Sequence, residues 1–242
     1  MRTRDLVSRD VRRLVLGADP VEYVLVRRRR RRGVGLKVDE NGLTVSAPAT
    51  MAVARIEALV RESERWVLRK IAEWSSRRVA PPAWRDGDLL PYLGAHMVLR
   101  VRVGSRATAL ARASELHVTA REGDSAGLRR AVVAWYRRAA RDHLGARAAA
   151  LARSAGLPAP RVFISPATAR WGSCNTRREI RLAWRLMKAP AHLVDYVICH
   201  ELAHMRHMNH SNAFWAEVAR QCPDYKRLRA ELFATDHLYR SF

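Results

Sequence analysis

Long apolar runs and cysteines are both scarce in this sequence. There is no uninterrupted apolar stretch of about 18 residues, so we expect no transmembrane helix and no membrane partner. The first 13 residues are charged and no apolar segment follows them directly, so no secretory signal is expected. The three cysteines are odd in number and are not paired at metal-ligand spacing. This cysteine usage predicts a reducing, cytoplasmic setting.

Acidic residues are also few, which leaves a formal net charge of +22 from 45 basic and 23 acidic residues. Clustered arginines neutralise phosphates, so this charge predicts a nucleic-acid partner. Only four of the basic residues are lysines. The alternative is therefore a composition bias in which arginines occupy solvated faces. The run Arg27–Arg32 carries the same ambiguity, because it could bind phosphate or form the exposed end of a hairpin.

The first half of the chain, residues 1–122, is predicted to be a β-rich region with one long helix. Residues 1–20 show little periodicity and are expected to lack regular structure. An Asn-Gly turn at Asn41 and Gly42 predicts a hairpin. Apolar residues at three- and four-residue spacing predict one helix over residues 51–74, and residues 77–85 are expected to form a linker. Strands are predicted at 21–26, 34–38, 43–47, 88–103 and 116–119.

The second half, residues 123–242, begins after a polar break at residues 121–125. A long helix is predicted over residues 127–154, and Pro190 predicts the start of another helix. Ser211 is a candidate cap for a third helix, and a last helix should follow Pro223. Strands are predicted at 161–165, 170–174 and 180–185. These elements together predict an α+β fold with a second domain at residues 123–242.

The most informative local pattern is His200-Glu201-Leu202-Ala203-His204, an H-E-x-x-H sequence. Residues four apart share one face of a helix, so two imidazoles can bind one ion. In zinc hydrolases of this pattern the histidines bind zinc and the glutamate is the general base. The alternative is a surface helix that carries two histidines by chance.

His210 is the candidate third ligand, because the helical pattern breaks shortly before it. The interval from His204 to His210 equals that of the metzincins, which have glycine at the position of His207. Asn209 is expected to adopt the left-handed conformation that the turn requires. Three neutral imidazoles would leave one position of Zn2+ open, and Glu201 would accept a proton from water. Cys199, which precedes His200, is expected to pack in the core.

The chain resembles the YgjP-type family of predicted metal-dependent hydrolases, which are related to SprT-like and WLM zinc proteases. The resemblance is most specific over residues 165–235, and weaker similarity extends into the N-terminal half. The matching motifs are Arg170-Trp171-Gly172-Ser173-Cys174, Ala189-Pro190, Asp195–His204, His210-Ser211 and Phe214-Trp215.

This resemblance implies a zincin-like catalytic minidomain made of a support helix, a small sheet and an active-site helix. It implies His200, His204 and His210 as zinc ligands and Glu201 as the catalytic base. Arg170, Trp171 and Ser173 are candidates for substrate binding. Zincins bind an extended substrate along an edge strand. Here that strand could be 170–174 or 180–185.

The expected function is a zinc metallopeptidase that acts on protein substrates, including DNA-associated proteins. One alternative is a metal-dependent hydrolase of a non-peptide substrate such as a nucleoside triphosphate, with arginines holding the phosphates. A second alternative is a nucleic-acid-binding module with structural zinc. Structural sites usually have four protein ligands, so an open position and a nearby glutamate argue against this second alternative.

Overall fold

The fold was analysed in a computed structural model, which describes residues 5–39, 41–76 and 82–242. The chain forms two compact units, Met1–Val79 and Ala80–Phe242. Each has its own hydrophobic core. The predicted boundary lies between residues 122 and 123, whereas the units divide between residues 79 and 80. The reason is that Leu99 and Leu116, from the predicted N-terminal region, are buried in the core of the second unit.

The first unit contains a four-stranded sheet and two helices. The sheet order is β1-β2-β4-β3, in which β2 and β4 are parallel and the other pairs are antiparallel. Its elements are β1 (Leu6–Leu16), β2 (Asp19–Arg28), β3 (Gly35–Asp39), β4 (Gly42–Pro48), α1 (Val53–Glu62) and α2 (Glu64–Ser76).

Two predictions for the first unit are wrong. Residues 1–20 were expected to lack regular structure. Residues 5–20 instead contain β1 and the start of β2, and residues 1–4 lie outside the described residues. β1 is an edge strand, and only Leu14 and Leu16 of its residues are buried. The apolar alternation that would identify β1 as a strand is therefore too short to recognise in the sequence. The single helix predicted over residues 51–74 is divided at Ser63, where φ is −101° and ψ is 14°.

The predicted Asn-Gly hairpin is confirmed. Asp39 lies opposite Gly42 in the antiparallel pair of β3 and β4, and Gly42 has a φ of 94°, which glycine adopts without a steric penalty. Glu40, in the same turn, lies outside the described residues, as do residues 77–81 of the predicted linker. Local turn chemistry therefore gave the correct register for this part of the sheet.

The second unit contains two small sheets and four α-helices. A four-stranded sheet has the order β5-β6-β8-β7, and a three-stranded sheet has the order β10-β11-β9. Its elements are β5 (Leu89–Tyr92), β6 (Ala95–Val103), β7 (Thr108–Arg112), β8 (Glu115–Ala120), α3 (Ser125–Ser154), β9 (Arg161–Ser165), β10 (Gly172–Cys174), β11 (Glu179–Ala183), a 3-10 helix (Trp184–Lys188), α4 (Ala191–Ala203), α5 (Asn212–Gln221) and α6 (Tyr225–Arg240).

Most elements of the second unit confirm the predictions, which supports the α+β class. The strand predicted over residues 180–185 is an exception at its end, because Trp184 and Arg185 belong to the 3-10 helix. β11 pairs with β9 only as far as Ala183, which lies opposite Ser165, the last residue of β9. β7 was not predicted; most of its side chains are exposed, so it has no apolar pattern.

The long helix α3 supports α4, the helix that carries the H-E-x-x-H sequence. Apolar side chains of both helices lie in one core, among them Leu144 of α3 and Ile198 of α4. On the surface, Arg147 of α3 donates two hydrogen bonds to the carboxylate of Asp195 of α4, at 2.6 and 2.7 Å. Such paired bonds fix the orientation of both groups. The position of the candidate site is therefore set by a packed and hydrogen-bonded helix pair.

Within the described ranges, no helix combines the length and the apolar character that a membrane crossing requires.

Candidate active site

His200 and His204 face the same side of the end of α4, as their spacing predicts. Pro190 precedes the helix, and the apolar residues of α4 are buried, whereas His200 is partly exposed. His204 directly follows the last residue of α4 and keeps helical angles, with φ of −65° and ψ of −18°. The centroids of the two imidazole rings are 5.1 Å apart.

His210 joins these two histidines from the segment between α4 and α5. Its Nε2 atom is 3.2 Å from Nε2 of His200. One nitrogen from each of the three histidines lies within 4.8 Å of the others. Asn209 was expected to adopt the left-handed conformation, but its φ angle is not positive. The chain instead turns through short-range backbone bonds, such as the one from His207 N to Ala203 O at 2.9 Å.

Ion pairs between partly exposed arginines and the buried Glu217 carboxylate hold the segment that carries His210. Arg206 contacts a Glu217 carboxylate oxygen at 3.4 Å and donates to the backbone oxygen of Ala155 at 3.3 Å. Glu217 is buried and also accepts hydrogen bonds from Arg220 and Gln221. The hydrogen bond from Arg220 is the main reason that the pKa of Glu217 is lowered. These contacts tie the turn after α4 to α5.

Phe214 packs against all three imidazoles and was not predicted to have a role in the site. Its ring centroid lies 5.0, 4.5 and 4.8 Å from those of His200, His204 and His210. It is fully buried, and it stands one turn into α5, whose cap Ser211 accepts a bond from the Phe214 N–H. Its place three residues after the cap and four residues after His210 was the available sequence signal. Phe214 limits the rotation of the three rings.

The donor set of the three histidines fits a divalent metal ion. Burial, followed by the neighbouring His204 and His210, lowers the pKa of His200 to about 4, and burial also lowers the pKa of His204. The rings of His200 and His204 are therefore neutral near pH 7, as metal ligands must be. Two nitrogens bound tetrahedrally to zinc at 2.0–2.1 Å would be about 3.3 Å apart, close to the observed 3.2 Å between His200 and His210.

A backbone hydrogen bond selects the tautomer of His204. Nδ1 of this ring lies 3.1 Å from the carbonyl oxygen of His207, so the nitrogen donates and Nε2 keeps its lone pair. Such a second bond orients metal-ligating histidines in general. His207 therefore contributes its main chain to the site, while its side chain lies outside the three-histidine group.

Glu201 lies beside the histidines with its carboxyl group buried. The residue is 5% exposed, and Oε2 has no hydrogen-bond partner among the described residues. Burial raises its pKa to about 8, against a smaller lowering effect of Arg170. Unpartnered buried carboxyl groups are costly, and they concentrate at functional sites. Glu201 does not belong to the described group of candidate metal ligands, which fits a role in proton transfer.

Gly172 in β10 packs directly against this carboxyl group. A Cβ atom at Gly172 would stand 2.5 Å from Oε1, 2.6 Å from Cγ and 2.7 Å from Cδ of Glu201. The contact involves the whole end of the side chain, so a small rotation of the carboxylate would not relieve it. The glycine in the Arg170–Cys174 motif was not predicted to act on the site. The structure shows that it leaves room for Glu201.

We expect Gly172→Ala to misplace Glu201 while leaving His200, His204 and His210 in position. A displacement of about 1 Å in a catalytic group costs about 100-fold in rate, so kcat should fall by this order. Metal content, measured by atomic absorption, should stay at the wild-type level. Gly145→Ala is the matched control, because a Cβ there meets nothing within 4 Å. Wild-type kcat in Gly172→Ala would contradict the positioning role.

The three candidate substrate-binding residues surround β10. Ser173 belongs to this strand, and Arg170 is exposed and acts electrostatically on Glu201. The Trp171 ring packs against Tyr239, with a centroid distance of 6.4 Å, and lies under the Arg240 guanidinium at 4.7 Å. Of the two strands considered for substrate binding, β11 is central in its sheet and β10 is at the edge.

The cysteines are not arranged as metal ligands. Cys199 is buried in the core as predicted, and burial raises its pKa to about 12. Burial also raises the pKa of Cys174 to about 11, with a smaller contribution from Glu201. Thiols with such high pKa values remain protonated near neutral pH, and metals bind the thiolate form. The described site therefore offers nitrogen donors from histidine only.

An α+β protein with three clustered histidines and an adjacent buried glutamate belongs to the class of candidate metal-dependent enzymes. The chain belongs to the YgjP-like metallopeptidase domain family, whose sequence model matches residues 32–235. This membership confirms the resemblance to the YgjP-type family and implies a metal cofactor and a protein substrate. No curated protein and no solved structure matched the chain.

Proposed function

We propose that the protein is a zinc metallopeptidase in which His200, His204 and His210 hold the zinc ion and Glu201 is the catalytic base. The observation that carries the proposal is the buried Glu201 carboxyl group, whose Oε2 atom has no hydrogen-bond partner among the described residues, beside three clustered imidazoles. Imidazole ligands suit zinc, and three protein ligands are typical of catalytic zinc sites. When bound, zinc supplies a Lewis acid for polarising the peptide carbonyl and for acidifying water.

Glu201 moves the protons in this proposal. Its carboxylate accepts a proton from the attacking water and then transfers it to the nitrogen of the leaving amine. A cation at the three histidines would favour the ionised form of Glu201 and lower its pKa from about 8, the value set by burial without the cation. Gly172 keeps the carboxyl group in place. Arg170 adds a positive charge that further favours the ionised form.

The substrate is proposed to bind as an extended strand along β10. This strand is at an edge of its sheet, and Gly172 within it contacts Glu201. An added peptide strand pairs its main chain with such an edge, and side-chain pockets then give specificity. Ser173 and Trp171 would flank the bound peptide. A peptide in this position would present its carbonyl groups to the site without requiring a particular sequence.

The function is tested by metal analysis of the purified protein together with a substrate screen of the wild type and Glu201→Gln. Cleavage of peptides that requires Glu201 and zinc is the expected result. Release of pyrophosphate from nucleoside triphosphates, again requiring Glu201, would support the non-peptide alternative instead. Hydrolysis of neither substrate by a zinc-loaded protein would contradict both functions and leave a binding role.

We also propose that the substrates include proteins bound to nucleic acid. Arg129, Arg137 and Arg185 line a cavity of about 590 Å3 that has no acidic residue in its wall. The pKa of Arg185 is lowered by burial and then by the positive charges of Arg137 and Arg129. The guanidinium groups thus repel one another, and a phosphate backbone would relieve the repulsion.

Arg129→Gln/Arg137→Gln is expected to weaken DNA binding and to reduce its salt dependence. Each lost phosphate contact lowers the slope of log K against log [salt] by about 1, so the double variant should lose up to about 2. Fluorescence anisotropy of a labelled duplex over a salt series measures the slope. Arg141→Gln/Arg153→Gln, on the same helix but outside the cavity wall, is the control. Equal slopes in both double variants would contradict a specific phosphate site.

A further inference from the structure

A second cavity, of about 490 Å3, lies between α6 and the Trp171 and Tyr196 side chains. Leu232 of α6 contributes a buried apolar side chain to its wall, and Phe233 contributes an exposed ring. The walls therefore combine aromatic surface with an opening to solvent. A pocket of this size and composition can accept an amino-acid side chain.

This cavity adjoins the candidate active site at two points. Trp171 directly precedes Gly172, which contacts the carboxyl group of Glu201. The Tyr196 ring lies one helical turn before His200, and their ring centroids are 6.3 Å apart. A peptide bound along β10 would therefore pass close to the cavity opening.

A stripe of α6 residues at three- and four-residue spacing gives the cavity a positive charge. Asp236 is paired with Arg240 at 2.9 Å, and Arg240 covers the Trp171 ring, so this pair is neutral. Lys226 and Arg229 have no carboxylate partner in the part of the chain that the structure describes. Arg229 lies over the Trp215 ring, 5.0 Å from its centroid, which orients the guanidinium without neutralising it.

We propose that this cavity is a specificity subsite for a carboxylate group of the substrate. The carboxylate pairs with Arg229 and Lys226, and the apolar part of the same residue packs between Trp171 and Phe233. Arginine recognises carboxylates through two parallel hydrogen bonds, whereas lysine acts as a point charge. The carboxylate comes from an aspartate or glutamate side chain or from the C-terminus of the peptide. The inference rests on the proposed peptidase function, and it names the substrate class.

The test uses the full-length, zinc-loaded Glu201→Gln variant, so that binding is measured without cleavage. The probes are fluorescein-labelled alanine heptapeptides with an amidated C-terminus and a central Glu, Gln or Lys, together with heptaalanine that has a free C-terminal carboxylate. We expect the Glu peptide to bind about fivefold more tightly than the Gln peptide, as for a partly exposed ion pair. The Lys peptide should bind most weakly. Tighter binding of the free-carboxylate peptide than of the Glu peptide would identify the C-terminus as the source.

Lys226→Gln/Arg229→Gln in the same background should remove this preference. Arg227→Gln, which removes a neighbouring charge outside the cavity wall, should retain it. Arg229→Glu should reverse the order so that the Lys peptide binds better than the Glu peptide, which loss of folding cannot produce. Equal binding of all probes to the parent variant, or an unchanged preference in the double variant, overturns the subsite. A preference that appears although the wild type cleaves no peptide would support the subsite while contradicting the peptidase function.

Discussion

Glu201→Gln is expected to lower the rate of peptide hydrolysis by about 10²- to 10⁴-fold, the usual contribution of a general base. The amide has nearly the shape of the carboxyl group, so the contact with Gly172 and the packing around it should persist. It cannot accept the proton of the attacking water. The change should appear in kcat, with zinc content equal to that of the wild type.

The stability of the metal-free protein provides a second measurement on this variant. Burial raises the pKa of Glu201 to about 8, so the group is mostly protonated at pH 7 when no cation is bound. In the unfolded chain the same carboxyl group ionises above its usual pKa of 4.5, so the wild type loses stability as the pH rises from about 4.5 to about 8, whereas a neutral glutamine does not. At pH 7 most of this loss is already present, and above about pH 8 the carboxyl group is ionised in both states, so the stability difference stops growing. The variant should then be the more stable of the two.

Two outcomes would contradict the assigned role of Glu201. Undiminished hydrolysis by a zinc-loaded Glu201→Gln protein would exclude Glu201 as the base. A loss of zinc together with activity would place Glu201 among the metal ligands instead. Glu122→Gln, an exposed replacement before the start of α3, controls for the loss of one negative charge.

His210→Ala is expected to weaken zinc binding by at least about 100-fold, since loss of even an outer-shell partner of a metal site costs 10- to 100-fold. His210 is exposed, so its truncation removes a ligand without opening the core. At a zinc concentration of 100 times the wild-type Kd, zinc should stabilise the wild type by about 2.7 kcal/mol. Most of that stabilisation should be absent in the variant.

The loss of zinc binding in His210→Ala is measured by metal content and by thermal unfolding with and without zinc. His207→Ala is the matched control. His207 contacts the site through its backbone carbonyl, which accepts the hydrogen bond from His204, and the replacement keeps that carbonyl. His207→Ala should therefore retain zinc. Unchanged zinc content in His210→Ala would remove His210 from the ligand set, and zinc loss in His207→Ala would assign a role to the His207 side chain.

Family membership and the fold class could be predicted from the chain alone. The resemblance over residues 165–235 led to the family whose sequence model matches residues 32–235. The long helices and the Asn-Gly hairpin were also predicted, because periodicity and turn residues act over short distances along the chain. The edge strand β1 was missed and the strand before Trp184 was predicted too long, because pairing with other strands decides the extent of both.

The boundary between the compact units was also beyond sequence reasoning. The polar segment at residues 121–125 looked like a division between domains, yet it is a turn within one core. β8 before it and α3 after it bury Leu116 and Leu144 in the same cluster. Polar turn residues mark the ends of elements whether or not the next element belongs to the same unit.

In the site, the sequence by itself determined the pairing of His200 and His204, because the period of a helix brings residues four apart onto one face. It also supplied His210 as a nearby donor. Only the tertiary structure brought Gly172 against Glu201, Phe214 against the three imidazoles, and Arg229 beside Trp171 and Tyr196. These contacts join separate elements, and their geometry is set by packing in the core, which no local pattern encodes.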